Sequence, residues 1–179
     1  MNLREIRLDC AIKQKRGLHF IVASIVIWGL VFVIHITNLP ILTKNLLTFC
    51  CTAPLLPLAF ILSKLMKIDF KNVKNPLTNL GMLFSFNQII YLLIAMWIYP
   101  TIPEKLVMVI AMIFGAHLLP FSWLYLSKVY MFFSIIIPFL ALVVGLSFSP
   151  AILALVMIII EIAFCMSLWI ENKNLVPIE

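Results

Sequence analysis

Apolar residues in this chain come in long runs rather than in alternation, and short polar stretches punctuate them. Runs of about 20 residues are what an α-helix needs to cross ~30 Å of hydrocarbon. The first such run extends from Gly17 to Thr37 and stops at Asn38-Leu39-Pro40. A second covers Lys44 to Met66 and is followed by the polar link 68–78. The third spans Asn79 to Tyr99 and is closed by Pro100-Thr101-Ile102-Pro103. The fourth runs from Lys105 to Leu126, and Ser127-Lys128 separates it from a fifth that ends near Phe148. Ser149-Pro150 opens a sixth, since proline suits a first helical turn, and this run ends near Ile170. The pattern predicts an all-α polytopic membrane bundle of about six transmembrane helices over residues 17–170, with a leader 1–16 and a short tail 171–179.

The leader, MNLREIRLDCAIKQKR, carries five basic and two acidic residues. Leu3, Ile6 and Cys10 recur at helical spacing, with Arg4, Arg7 and Lys13 largely on other faces. That spacing predicts a short interfacial amphipathic helix on the inner leaflet, in contact with anionic lipid, and a solvated tail is the alternative. A cleaved signal peptide fits poorly, because the apolar run that follows is too long and lacks a small-residue exit.

Composition narrows the function classes. Hydrophobic residues make up 64% of the 179, charged residues only 11%, and the mean hydropathy is +1.17. A soluble domain carries about 25% charged residues, so too few charges exist here to build a water-soluble surface. Any activity therefore sits in the bilayer or at its rim. The net charge of +6 flanks apolar spans rather than forming an aromatic-interleaved basic surface, so nucleic acid is not an expected partner. Placing the N-terminus inside gives cytoplasmic Arg4, Arg7, Lys13, Lys15, Arg16, Lys64, Lys67, Lys71, Lys74, Lys128 and Lys173, against Lys44 and Lys105 outside. The positive-inside rule then predicts both termini in the cytoplasm. Trp97 and Tyr99 would belong to the outer aromatic belt, with Tyr125, Tyr130 and Trp169 in the inner one.

Four cysteines (Cys10, Cys50, Cys51, Cys165) read as packing residues, with no disulfide framework. Small residues four apart, at Ala59/Ser63, Gly81/Ser85, Ala111/Gly115 and Ala141/Gly145, predict close helix contacts. An inverted three-plus-three repeat is topologically possible, with prolines at Pro54, Pro57 and Pro138, but no residue-level match accompanies it.

Polar residues in mid-span carry the functional expectation. Counting at 1.5 Å per residue places His117 and Glu161 ~18 Å deep, and Asn87 and Gln88 ~15–17 Å deep. A central carboxylate must be protonated, paired or wetted, and no lysine or arginine lies level with it. A Glu161–His117 contact is therefore expected, with Asn87, Gln88 and Tyr91 completing a hydrogen-bonded cluster. Ala154, Glu161 and Cys165 share one helix face, as do Asn87 and Tyr91. The structural alternative is internal glue between helices. His35 reads as interfacial, and His19 as an inner-rim residue. Pro54, Pro57, Pro120 and Pro138 should kink their helices, and Pro120 would free the Ala116 carbonyl. Met108 and Met112 have the spacing of a soft-metal pair, yet methionine is common packing filler, so no metal or other cofactor is expected.

The string Gly115-Ala116-His117-Leu118-Leu119-Pro120-Phe121-Ser122-Trp123-Leu124-Tyr125, with Asn75-Pro76-Leu77, resembles a small family of uncharacterised bacterial multi-pass membrane proteins. The resemblance covers most of the chain and implies a bacterial plasma-membrane location and a compact helical bundle. It implies no activity. The expected function is that of a small transporter- or channel-like protein, proton-linked through Glu161 and His117 and acting on an unknown solute or ion. The alternative is a non-catalytic scaffold or sensor subunit. No enzymatic motif is present, and an intramembrane lipid enzyme is the least supported reading.

Overall fold

The computed structural model describes residues 2–70, 72 and 74–174; Lys71 and the tail residues 175–179, both used in the topology argument, lie outside the described residues. A capping box opens helix α1 (Leu3–Lys13): the Glu5 amide donates to Asn2 Oδ1 at 3.0 Å, and the Asn2 amide donates to Glu5 Oε2 at 3.0 Å. Lys15, Arg16 and Gly17 then take successive φ values of 45°, 50° and 69°, a left-handed run that ends α1 and redirects the chain into α2 (Leu18–His35).

The second expected span is two helices, α3 (Ile41–Thr52) and α4 (Leu55–Leu65), bent by 41° at Ala53-Pro54. Pro54 has no N–H to continue the ladder, which accounts for the break. α5 runs from Leu77 to Thr101, longer than expected at both ends, with Pro100 in its last turn. The fourth span divides into α6 (Leu106–His117) and α7 (Leu119–Leu124), since the Pro120 ring cannot follow an unbroken turn over Ala116. Ser127 caps α8 (Lys128–Ser147) by accepting from the Tyr130 amide at 3.1 Å, and Ser149 caps α9 (Pro150–Lys173) by accepting from Ile152 at 3.4 Å.

The chain is a multi-span membrane protein: five helical stretches are long and apolar enough to cross a bilayer, and α3 with α4 makes a sixth, bent span. Its core lies among α2, α6, α8 and α9. α2 packs chiefly on α9, and α6 on α8. On α9 the buried positions Leu153, Ala154, Met157, Glu161, Phe164 and Leu168 form one inward seam. α6 and α8 approach so closely that a Cβ on Gly115 would lie 2.5 Å from Pro138 Cδ, and one on Gly145 would lie 2.5 Å from Met108 Cγ. Met108 is thus packing filler here. α5 differs, since only Ala95 and Ile98 of its 25 residues are buried.

All ten described basic residues expected inside gather at the leader end of the bundle, and Lys44 and Lys105 stand at the other. α1 forms as expected, and part of it packs on the protein. Cys10 and Ala11 are buried, Arg7 donates to the Trp123 carbonyl, and Asn75 Nδ2 donates to Ile6 O and Asp9 Oδ2, both at 2.8 Å. Burial raises the Asp9 carboxyl, but hydrogen bonds from Lys13, Asn75 and Asn72 outweigh it and leave the group below its ordinary range. Burial pushes the Cys10 thiol up to about 12. Tyr125 and Tyr130 are not belt residues: both are buried, with hydroxyls donating to Gln14 Oε1 at 2.9 Å and to the Arg16 carbonyl at 2.8 Å.

Candidate functional site: an apolar cavity between α2 and α5

A cavity of about 330 Å³ lies between α2 and α5, with further walls from α3, α4, α6 and α7. Its lining is mostly apolar and aromatic, and Ser24, Thr52, Ser85, Gln88 and His117 supply hydrogen-bonding groups. Ligand sites are typically ~300–1,000 Å³ with a few placed polar groups, and this cavity sits at the small end of that range. The α2 and α6 walls are buried, Trp28 at 4% exposed and Phe114 at 8%. Met82, Phe86 and Ile89 of α5 and Leu56 of α4 line it yet are exposed, so its mouth opens sideways between α4 and α5. That mouth lies on the flank of helices that are long and apolar enough to span a bilayer. At the leader end Gly17, Tyr125 and Tyr130 close the cavity.

Glu161 stands behind this cavity rather than in it. It is fully buried, and its Oε2 lies 2.6 Å from Ser24 Oγ, while Oε1 has no partner among the described residues. Ser24 Oγ also lies 2.8 Å from the Ile21 carbonyl. A hydroxyl has one proton to give. When Ser24 gives it to Ile21, the contact with Glu161 is a hydrogen bond only if the carboxylic acid donates. The chain Glu161→Ser24→Ile21 is then fully directed, and Ser24 is its face on the cavity.

The expected Glu161–His117 contact is not formed. His117 Nδ1–H donates to the Phe114 carbonyl one turn back, which leaves the lone pair on Nε2. Its ring is held edge-on by Phe114 at 5.4 Å and Phe121 at 6.0 Å. Two residues of the expected cluster do reach the cavity, His117 and Gln88. Asn87 and Tyr91 do not. Both are exposed on α5, and Asn87 stands ~200° round the helix from Ser85 and from Ile89, which line the cavity. The shared face was read correctly, but it points away from the bundle. No group of three or more His, Cys, Asp or Glu that could hold a metal occurs among the described residues.

The other histidines differ from their expectations in partner rather than in level. His35 is buried at the end opposite the leader, with Nε2 3.1 Å from Thr48 Oγ1. His19 is 2% exposed, packed on Phe20 and Phe70, and neither ring nitrogen has a partner among the described residues.

Arg16 is expected from the sequence only as one of the cytoplasmic basic residues. It is 5% exposed, donating from Nε to the Tyr125 carbonyl at 3.1 Å and from Nη1 to the Glu171 carbonyl at 3.0 Å and Asn172 Oδ1 at 3.1 Å. The Glu171 carboxylate lies 3.5 Å from Nε. A charge just before the first apolar run and an opposite one just after the last was the available signal.

A model of a family of unknown function, DUF7010, matches residues 3–171, from the first helix to the last turns of α9. The chain belongs to that family. The expected resemblance to an uncharacterised family thus holds, and the DUF7010 match takes in α1, the cavity, Arg16 and Glu171. No curated protein and no solved structure matches the chain.

Proposed function

We propose that this protein is a small, non-enzymatic carrier of the bacterial plasma membrane, with both ends in the cytoplasm. It takes an amphipathic solute, with an apolar body and at least one hydrogen-bonding group, from the bilayer into the cavity between α2 and α5. The carrying observation is that sideways mouth, apolar within and furnished with Ser24, Gln88 and His117. Gln88 can donate and accept, and neutral His117 offers an acceptor, so the site suits a group such as an amide, amine or hydroxyl. Glu161 reaches the occupant only through Ser24, which is where a proton link would act. The basic residues at the leader end support the orientation and an attraction to anionic lipid.

Glu161 itself also supports the scaffold reading, because it is wholly buried and outside the cavity wall. The two readings separate on whether the cavity admits a guest. Trp97, Trp123 and Trp169 are replaced by Phe in the full-length protein, leaving Trp28 in the cavity wall as the only tryptophan. In vesicles of dibrominated phosphatidylcholine, a carrier predicts strong bromine quenching of Trp28, relieved when Ser85→Phe fills the cavity. Trp28 fluorescence equal to that in unbrominated vesicles would mean a sealed cavity and would leave the scaffold reading.

A further inference from the structure

Leu83, Asn87, Ile90, Ile94 and Trp97 follow one another along α5 at steps of four, three, four and three residues. Those steps average 3.5, the repeat that keeps a stripe of side chains facing a partner helix. All five are exposed, with Leu83 at 61%, Ile90 at 62%, Ile94 at 51% and Trp97 at 64%. The stripe turns away from the cavity and from the rest of the bundle. In heptad terms Asn87 and Ile94 take a positions, and Leu83, Ile90 and Trp97 take d positions.

Asn87 is the anomaly in this stripe. It stands ~15 Å along α5 from Leu77 and ~21 Å from Thr101, at mid-span. Its carboxamide there faces hydrocarbon, which offers it neither donor nor acceptor. A single Asn at an a position is a known device for fixing register and oligomer state in paired helices.

We propose that α5 pairs with α5 of a second copy of this chain, as a parallel left-handed coil along this stripe. The two Asn87 carboxamides hydrogen-bond to each other across the axis. A second copy is the occupant because the amide carries both a donor and an acceptor and is its own complement. A two-fold axis along the membrane normal keeps both copies in one orientation and brings each position of the stripe against itself. Apolar burial gives no drive between helices in lipid, so packing of the stripe and the amide pair hold the dimer. The pairing is independent of what the cavity binds.

The test uses full-length protein, purified and returned to phosphatidylcholine vesicles. Single-molecule photobleaching of the wild type should show two bleaching steps, and Asn87→Leu should weaken association by about threefold to thirtyfold. Asn87→Gln, which keeps the amide, should retain most of it. With the four native cysteines replaced by Ala, Ile94→Cys should form an intermolecular disulfide under copper-phenanthroline oxidation. Met96→Cys, equally exposed but ~200° away round the helix, should not. One-step bleaching of the wild type, equal crosslinking at both positions, or an unaffected Asn87→Leu would each overturn the proposal. So would a wild type that pairs only with a different chain supplied from host membranes.

Discussion

The two walls of the cavity are built on different terms. On one side α2, α6, α8 and α9 interlock through glycine contacts, a buried carboxyl and an aromatic cluster at Tyr130, Phe133 and Phe164. On the other, α5 leans on α6 and α7 and leaves more than half of its residues exposed. Lipid explains how both persist. A helix that is apolar all round gains nothing by hiding apolar surface, so only close packing and hydrogen bonds hold a span in place. The first wall has these within the chain, whereas α5 must find them outside it or remain the moving side of the mouth.

The contrast can be broken most severely at Gly115. Alanine there drives a methyl into Pro138 and Ile137, ring and branched atoms that cannot swing aside, and should cost about 1–3 kcal/mol or more. Gly81→Ala on α5 meets only a Leu124 methyl at 3.1 Å and should change stability by less than about 1 kcal/mol. Gly29→Ala meets nothing within 4 Å and should stabilise by about 0.5–1 kcal/mol through backbone entropy. Unfolding in mixed micelles orders the three variants, and a Gly81 cost equal to that of Gly115 would erase the distinction between the walls.

A second, smaller effect sharpens the role of the buried carboxyl. Ser24→Ala leaves Glu161 without a hydrogen-bond partner among the described residues and should cost about 1–3 kcal/mol. Adding Glu161→Met should recover most of it, because both polar groups are then gone. Simple additivity in this double-mutant cycle would show that the two side chains are not coupled. In infrared difference spectra, Ser24→Ala should also shift the Glu161 carboxyl stretch, which Glu161→Gln identifies.

The smallest effect lies at the base of the loose wall, where the link before α5 is tied to α1 through Asp9. Its folded-state proton affinity is lowered, so its contribution to docking is complete above the ordinary carboxylate range. That contribution is lost as pH falls through the depressed folded value. Hydrogen exchange at Asn72 and Asn75 should therefore quicken on acidification toward that value. Asp9→Asn should flatten the dependence, and an unchanged profile in that variant would assign it to another group.

Span number, the breaks at Pro54 and Pro120, and the inward face of α9 were legible in the sequence, whereas α4 and α8 run on unbroken through Pro57 and Pro138. Run length and the missing proline N–H act locally, and Leu153, Met157, Phe164 and Leu168 share a period with Glu161. Position along each helix follows from the fixed helical rise, and depth was read from that alone. What depth could not give was azimuth. In a soluble helix the polar side marks the solvent, but α5 is apolar on nearly every side. The face shared by Asn87 and Tyr91 therefore has two possible directions, and in the folded chain it is the outward one. Ser24 escaped notice because serine is common in spans and satisfies itself on its own helix, as it does here with Ile21. Only the facing carboxyl makes it part of a site.

The guanidinium of Arg16 has a consequence for how the chain is made. Its acceptors sit 109 and 155 residues further along the sequence. Ribosomes add about 5–20 residues per second, so roughly 8–30 s separate the synthesis of Arg16 from that of its last partner. Through that interval Asn75 and Trp123 can already hold α1, and Arg16 can already reach the Tyr125 carbonyl, but Nη1 lacks both of its acceptors. The knot closes only when Glu171 and Asn172 arrive, so it joins the start of α2 to the end of α9 after the spans between them have been made.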